Sequence, residues 1–109
     1  MITLKQLLET YEGKVNIIVT THYGYGIGNH YPQNYIDALD EMDYDFEILS
    51  VTHTRQDYNE DTDAYVHTFT VVIFADCKAA AEKLCYLSNR YAIINSPYFS
   101  EETKRAILG

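Results

Sequence analysis

The segment from Ala64 to Ala75 places the strongest constraint on how this chain can fold. Mostly apolar side chains occupy its odd positions, which is the pattern of a strand that buries one face. In its second half Val72 and Phe74 make the other face apolar as well. Strands that are apolar on both faces lie inside a sheet. The segment therefore predicts a central strand with a neighbour on each side.

The other elements are predicted from shorter periodic runs. Alternating side chains predict two more strands, at 15–23 and 44–53, and the glycine-rich stretch from His22 to His30 predicts a loop. Residues that can cap a helix N-terminus precede four further runs, and they are Thr3 (in a capping box with Gln6), Asn34, Asp76 and Ser100. We therefore expect an α+β fold in the order α-β-α-β-β-α-α. It has a small, mostly antiparallel three-stranded sheet with helices packed on one face.

The length of 109 residues fits a single domain that spans residues 1–109. The cysteines, Cys77 and Cys85, lie eight residues apart on a predicted helix. That spacing separates them by about 12 Å along the axis at ~1.5 Å per residue, whereas a disulfide needs Cα atoms within about 7 Å. Reduced thiols, no signal-peptide pattern and no long apolar run lead us to expect a cytoplasmic protein without a membrane segment.

The charge of the chain is distributed unevenly. Eleven carboxylates and one basic residue, Arg55, lie between Val15 and Cys77, which gives this segment a formal charge of −10 within a total of −8. Such a field repels phosphate backbones and attracts basic surfaces. Direct nucleic-acid binding is disfavoured, because the counterion release that drives it requires lysine and arginine.

Most of these carboxylates form three groups. One group shares a face of the predicted second helix, one alternates along the strand that follows, and one crowds the next loop. They can serve solubility alone, or they can replace phosphates in the basic groove of a nucleic-acid-binding protein, with tyrosines that stack as bases do. The second interpretation predicts these partner-binding residues: Asp37, Asp40, Glu41, Asp43, Tyr44, Asp45, Glu47, Asp57, Tyr58, Glu60, Asp61 and Asp63.

Two weaker patterns concern metals. His53 and His67 lie on the predicted hairpin and could face each other, and with a carboxylate they could hold zinc. The stretch 57–63 resembles the start of a calcium loop but has Thr62 where the sharp turn requires glycine. We expect no catalytic residue, no metal site and no cofactor, and hence not an enzyme. The alternatives are a metal-dependent enzyme that uses the strand histidines and carboxylates, and a homo-oligomeric interaction module such as a homodimer.

The chain resembles small acidic proteins of bacterial phages and mobile elements. The resemblance is carried by MITLKQLLETYE at the start, by VNIIV at 15–19, and by YIDALDEMDYDFEILSV at 35–51, which is similar to their short helix leading into a strand. This group includes anti-CRISPR proteins, which commonly bind a CRISPR effector nuclease at its nucleic-acid groove. The resemblance implies an inhibitor that acts by protein–protein interaction as a nucleic-acid mimic. No catalytic residue is carried over.

Overall fold

The computed structural model describes residues 2–11 and 15–109. The elements are α1 (Leu4–Glu9), β1 (Val15–Thr21), β2 (Gly26–Asn29), α2 (Pro32–Met42), β3 (Glu47–Asn59), β4 (Ala64–Phe74), α3 (Lys78–Ile94) and α4 (Glu101–Leu108). Within these ranges, none of the helices has the length and apolar character needed to cross a membrane.

Over the described ranges the strands form one mixed, four-stranded sheet in the order β2-β1-β4-β3. β1 pairs antiparallel with β2 and parallel with β4, and β4 pairs antiparallel with β3. The prediction of a three-stranded, mostly antiparallel sheet in the order α-β-α-β-β-α-α is therefore wrong, although the fold is α+β. β4 is a central strand, which confirms the inference from its two apolar faces.

The strand missing from the prediction is β2, which lies inside the glycine-rich stretch. Gly26 and Gly28 weaken the local preference for a strand. The strand is instead stabilised by antiparallel pairing with β1 and by burial of Ile27, which is 2% exposed. Gly28 has a φ of +121°, a conformation that favours glycine. Tertiary pairing therefore overrides local propensity here.

The parallel contact between β1 and β4 was also missed, because no local pattern records it. Val15–Thr21 pairs in register with His67–Ile73, across more than forty intervening residues. The two strands of a hairpin are joined by a short turn, which leaves a signal in the sequence. Two parallel strands are joined by a long crossover connection, so the sequence does not show which strands lie next to each other.

The predicted helix starts had mixed outcomes. The capping box of Thr3 with Gln6 and the cap at Ser100 are confirmed. The caps at Asn34 and Asp76 are wrong, since α2 begins at Pro32 and α3 follows Cys77. Proline suits the first turn of a helix because that turn lacks acceptors for its N–H groups. Asn34 lies inside α2 and accepts a hydrogen bond from the Asn95 side chain.

The core lies between the helices and one face of the sheet. Residues of α1, α2 and α3 pack there against the odd positions of β1 and β4 in a single apolar cluster, whose largest fully buried members are Leu4, Leu8, Val19, Tyr35, Leu39, Phe46, Val71, Ile73 and Leu84. The even positions Ile18, Thr20, Thr70 and Val72 face away from this cluster and remain partly exposed.

The hairpin of β3 and β4 extends past β1. β1 pairs with β4 only over positions 67–73, so residues 57–66 pair with one another and with no other described strand. We call residues 57–66 the acidic ribbon. Eight of its ten residues are exposed. The ribbon carries Asp57, Glu60, Asp61 and Asp63, and it has no lysine or arginine.

Candidate partner-binding surface

The predicted partner-binding residues lie at two opposite ends of the β3–β4 hairpin. Glu47 pairs with Phe74 at one end, and Asn59 pairs with Ala64 at the other. The ten steps along β4 span about 33 Å at ~3.3 Å per residue. The carboxylates of α2 and of the segment that follows it are connected to the Glu47 end. The three predicted groups therefore form two separate surfaces rather than one.

The α2 carboxylates have partners that the sequence of the helix does not contain. Asp40 forms an ion pair with Lys5 of α1. Glu41 accepts a hydrogen bond from the Tyr91 hydroxyl of α3 at 3.3 Å, and burial together with Glu41 raises the pKa of Tyr91. Packing of α1 and α3 on either side of α2 supplies these contacts. Helix periodicity placed the carboxylates on one face correctly but could not show these contacts.

Asp37 is also engaged at the far end of α3. Its carboxylate accepts hydrogen bonds from Gln33 at 2.7 Å and from Asn95 at 2.9 Å. Asn95, the residue that ends α3, also donates to Asn34 of α2, so its side chain links α3 to α2. The contacts of Asp37 therefore stabilise the helix pair, and its carboxylate is half-buried.

Asp43, Asp45 and Glu47 do not form a row on a strand. β3 begins at Glu47, not at Tyr44 as predicted, because Asp43 ends α2 in the left-handed conformation with a φ of +52°. Asp45 then accepts hydrogen bonds from the backbone N–H groups of Lys5 (3.1 Å) and Phe46 (2.8 Å). The period-two spacing is present in the sequence, but of these three residues only Glu47 lies on the strand.

These contacts give Asp45 and Asp43 different expected effects on stability. Asp45→Asn should lower the free energy of unfolding by about 1 kcal/mol, since hydrogen bonds to a charged acceptor contribute ~1.5–3 kcal/mol and the amide oxygen keeps part of them. Asp43→Asn removes the same charge, and asparagine tolerates the left-handed conformation. Its effect should stay within about 0.5 kcal/mol. Urea denaturation measures both, and equal losses would contradict a stabilising role for the two hydrogen bonds of Asp45.

Tyr44 is tied to the end of β4 rather than free to stack. Its hydroxyl donates to the Asp76 carboxylate at 2.8 Å, which raises the pKa of Tyr44. Its ring packs edge-on against Phe46 with a centroid distance of 4.9 Å. The side chain is 41% exposed. A partner can therefore contact one face of the ring without breaking these bonds.

The acidic ribbon presents its charges differently. Asp57 pairs with Arg55 at 2.9 Å, and Asp63 accepts a hydrogen bond from the Tyr58 hydroxyl. Glu60 and Asp61 have no hydrogen bond or ion pair from their carboxylates to any described residue. The rings of Tyr58 and Tyr65 lie 5.3 Å apart, and both side chains are more than half exposed. The ribbon thus combines ordered and free carboxylates with an exposed pair of aromatic rings.

The two strand histidines do face each other, as their positions suggested. His53 Nε2 and His67 Nδ1 are 3.1 Å apart. No group of three or more His, Cys, Asp or Glu side chains is arranged to hold a metal ion anywhere in the described part of the chain. The carboxylates of the calcium-like stretch 57–63 therefore do not form such a group. His53 and His67 likewise lack the nearby carboxylate that the metal-dependent enzyme would need.

The described residues also form a groove that sequence patterns did not indicate. It has a volume of about 980 Å³. The residues that line it come from β1, β2, β4, α2, the end of α3, the α3–α4 loop and the segments that follow α1 and β2, so no local motif could reveal it. The β4 residue is Val66, the last residue of the acidic ribbon. Its lining includes Tyr11, His30, Asn34, Asn95 and Tyr98.

His30 in this groove makes stability depend on pH. Burial lowers its pKa from the ordinary value of 6.5. The unfolded state then binds more protons between the two pKa values, so stability is complete above ~6.5 and falls as the pH drops below it. We expect the urea midpoint to fall between about pH 7.5 and 5.5, and to fall less in His30→Gln. A decrease in His30→Gln as large as that in the wild type would contradict this assignment.

Comparisons with protein-family models, with curated proteins and with solved structures find no match for this chain. The resemblance to small acidic phage proteins therefore stays a hypothesis.

Proposed function

We propose that this chain is an acidic, non-enzymatic binding protein that occupies the basic nucleic-acid groove of another protein. Its most concrete form is an anti-CRISPR protein that inhibits a CRISPR effector nuclease. Such a role belongs in the cytoplasm, and the free thiols of Cys77 and Cys85 are compatible with that compartment.

The observation that carries this proposal is the acidic ribbon. Four carboxylates and the exposed rings of Tyr58 and Tyr65 lie within ten residues that extend past the rest of the sheet. Basic grooves that track nucleic acid combine cationic side chains with stacking surfaces. A narrow hairpin that carries carboxylates and aromatic rings presents the complementary set of groups.

The state of the ribbon carboxylates also supports the proposal. Glu60 and Asp61 are exposed and make no side-chain bond to a described residue, so binding to Lys or Arg of a partner breaks no contact within the described part of the chain. Asp63 is held by Tyr58, which reduces the entropy lost when a partner orders it. The α2 carboxylates are less suitable, since Asp40 and Glu41 would first have to release Lys5 and Tyr91.

The test is an inhibition assay against a panel of purified, guide-loaded CRISPR effector nucleases. We expect the protein to displace labelled target DNA from at least one of them and to block cleavage. The affinity should fall steeply as salt is raised, because the attraction acts between exposed charges that salt screens. Cleavage that persists throughout the panel would remove the anti-CRISPR role, and binding that excess DNA does not compete with would contradict groove occupancy altogether.

A further inference from the structure

We propose that His53 and His67 form a binding site for one divalent transition-metal ion, with zinc as the probe ion, at the base of the acidic ribbon. This inference does not depend on the proposed inhibitory function. It rests on the geometry of the two imidazoles and on their positions in the β3–β4 ladder.

The distance between the two nitrogens is close to what a metal requires. His53 Nε2 and His67 Nδ1 lie 3.1 Å apart. Two imidazole nitrogens bound to a tetrahedral zinc at ~2.0–2.1 Å lie about 3.3–3.4 Å from each other. Zinc binding requires the proton between the two nitrogens to leave this position and both rings to turn until their lone pairs converge on the ion. Imidazole is a preferred ligand of zinc, copper and nickel ions.

The fold holds both rings in this arrangement. His53 pairs with Phe69 across the ladder, and His67 lies two residues earlier on β4, so the two histidines share one face of the hairpin. The register shifts between His53 and Arg55, where an extra residue bends β3. The Phe69 ring packs edge-on against His53 at 5.1 Å, on the face that the two histidines share.

The site has room for further ligands. His53 is exposed and His67 is half-buried, so a cation can reach the nitrogens from solvent. Water completes the coordination, as it does in sites that keep open positions. His67 directly follows the last ribbon residue, Val66. A bound ion would therefore link β3 to β4 where the ribbon leaves the sheet, and would order the ribbon.

Zinc titration by calorimetry tests the site on the full chain. We expect one zinc ion per chain, a higher Tm with zinc, and at least tenfold weaker binding in His53→Ala and in His67→Ala. His22→Ala is the matched control, because it removes an exposed histidine that stacks on Phe74 instead. It should bind zinc like the wild type. Equal zinc affinity in His53→Ala and the wild type would overturn the site.

NMR on the wild-type protein keeps the test independent of any folding defect in the variants. Zinc should shift the imidazole resonances of His53 and His67 and leave those of His22 and His30 in place. Shifts confined to His22 or His30 would overturn the proposal. A stoichiometry of one ion to two chains would also overturn it, because the ion would then belong to a dimer interface.

Discussion

Converting the four carboxylates of the acidic ribbon to amides is expected to weaken binding to the nuclease that we propose as the target about 30-fold. The variant carries Asp57→Asn, Glu60→Gln, Asp61→Asn and Asp63→Asn. Exposed ion pairs contribute ~0.2–1 kcal/mol each, so four of them at about 0.5 kcal/mol give about 2 kcal/mol, and each 1.4 kcal/mol is tenfold in affinity. Fluorescence anisotropy at fixed salt measures the change.

The fold should survive this substitution. An asparagine at position 63 tolerates the φ of +49° and still offers the Tyr58 hydroxyl an acceptor oxygen. The matched control neutralises four exposed carboxylates outside the ribbon: Glu9, Glu82, Glu101 and Glu102, each to glutamine. It removes the same total charge. If both variants lost the same affinity, net charge alone would drive binding and the ribbon would have no special role.

Tyr35→Phe is expected to lower the free energy of unfolding by about 1–3 kcal/mol. Tyr35 is fully buried at 0% exposure, and its hydroxyl donates to the Gly28 carbonyl and accepts from the His30 N–H at 3.1 Å. Burial raises the pKa of Tyr35, so the hydroxyl stays protonated and can donate. Phenylalanine keeps the ring but leaves two backbone groups without this partner, and an unsatisfied buried polar group costs ~1–3 kcal/mol.

Urea denaturation measures the effect of Tyr35→Phe. Tyr31→Phe removes the same hydroxyl from a side chain that is 81% exposed, so its effect should stay within about 0.5 kcal/mol. Amide hydrogen exchange should also rise in β2, because Gly28 lies in that strand and His30 directly follows it. A Tyr35→Phe protein as stable as the wild type would show that the hydroxyl does not anchor β2 to α2.

The sequence predicted the positions of the α2 carboxylates but not their contacts. Spacing placed Asp37, Asp40 and Glu41 on one helix face, and the structure keeps them there. Each of them has a partner from elsewhere in the chain: Lys5 lies thirty-five residues before Asp40, Tyr91 lies fifty residues after Glu41, and Asn95 lies fifty-eight residues after Asp37. Helix periodicity describes neighbours within one element. Whether a carboxylate is free or engaged depends on which elements pack beside it.

The sequence by itself determined the elements with strong local signals. These are the capping box of Thr3, the helix start at Ser100, the antiparallel pairing of β3 with β4 and the central position of β4. Each depends on residues close in the chain, where capping, turn chemistry and periodicity act. The charge of the acidic ribbon is likewise a property of consecutive residues. The bounds of β3 were predicted wrongly, because the strand continues to Asn59 instead of ending at residue 53.

Only the tertiary structure decided the rest. β2 forms because β1 offers a pairing edge and the core buries Ile27, although its glycines disfavour a strand. The parallel pairing of β1 with β4 joins segments that no turn connects. The separation of the carboxylates into engaged and free sets, and the close approach of His53 to His67, follow from helix packing and strand register. Such contacts depend on the free energy of packing the whole chain, which no local pattern in the sequence encodes.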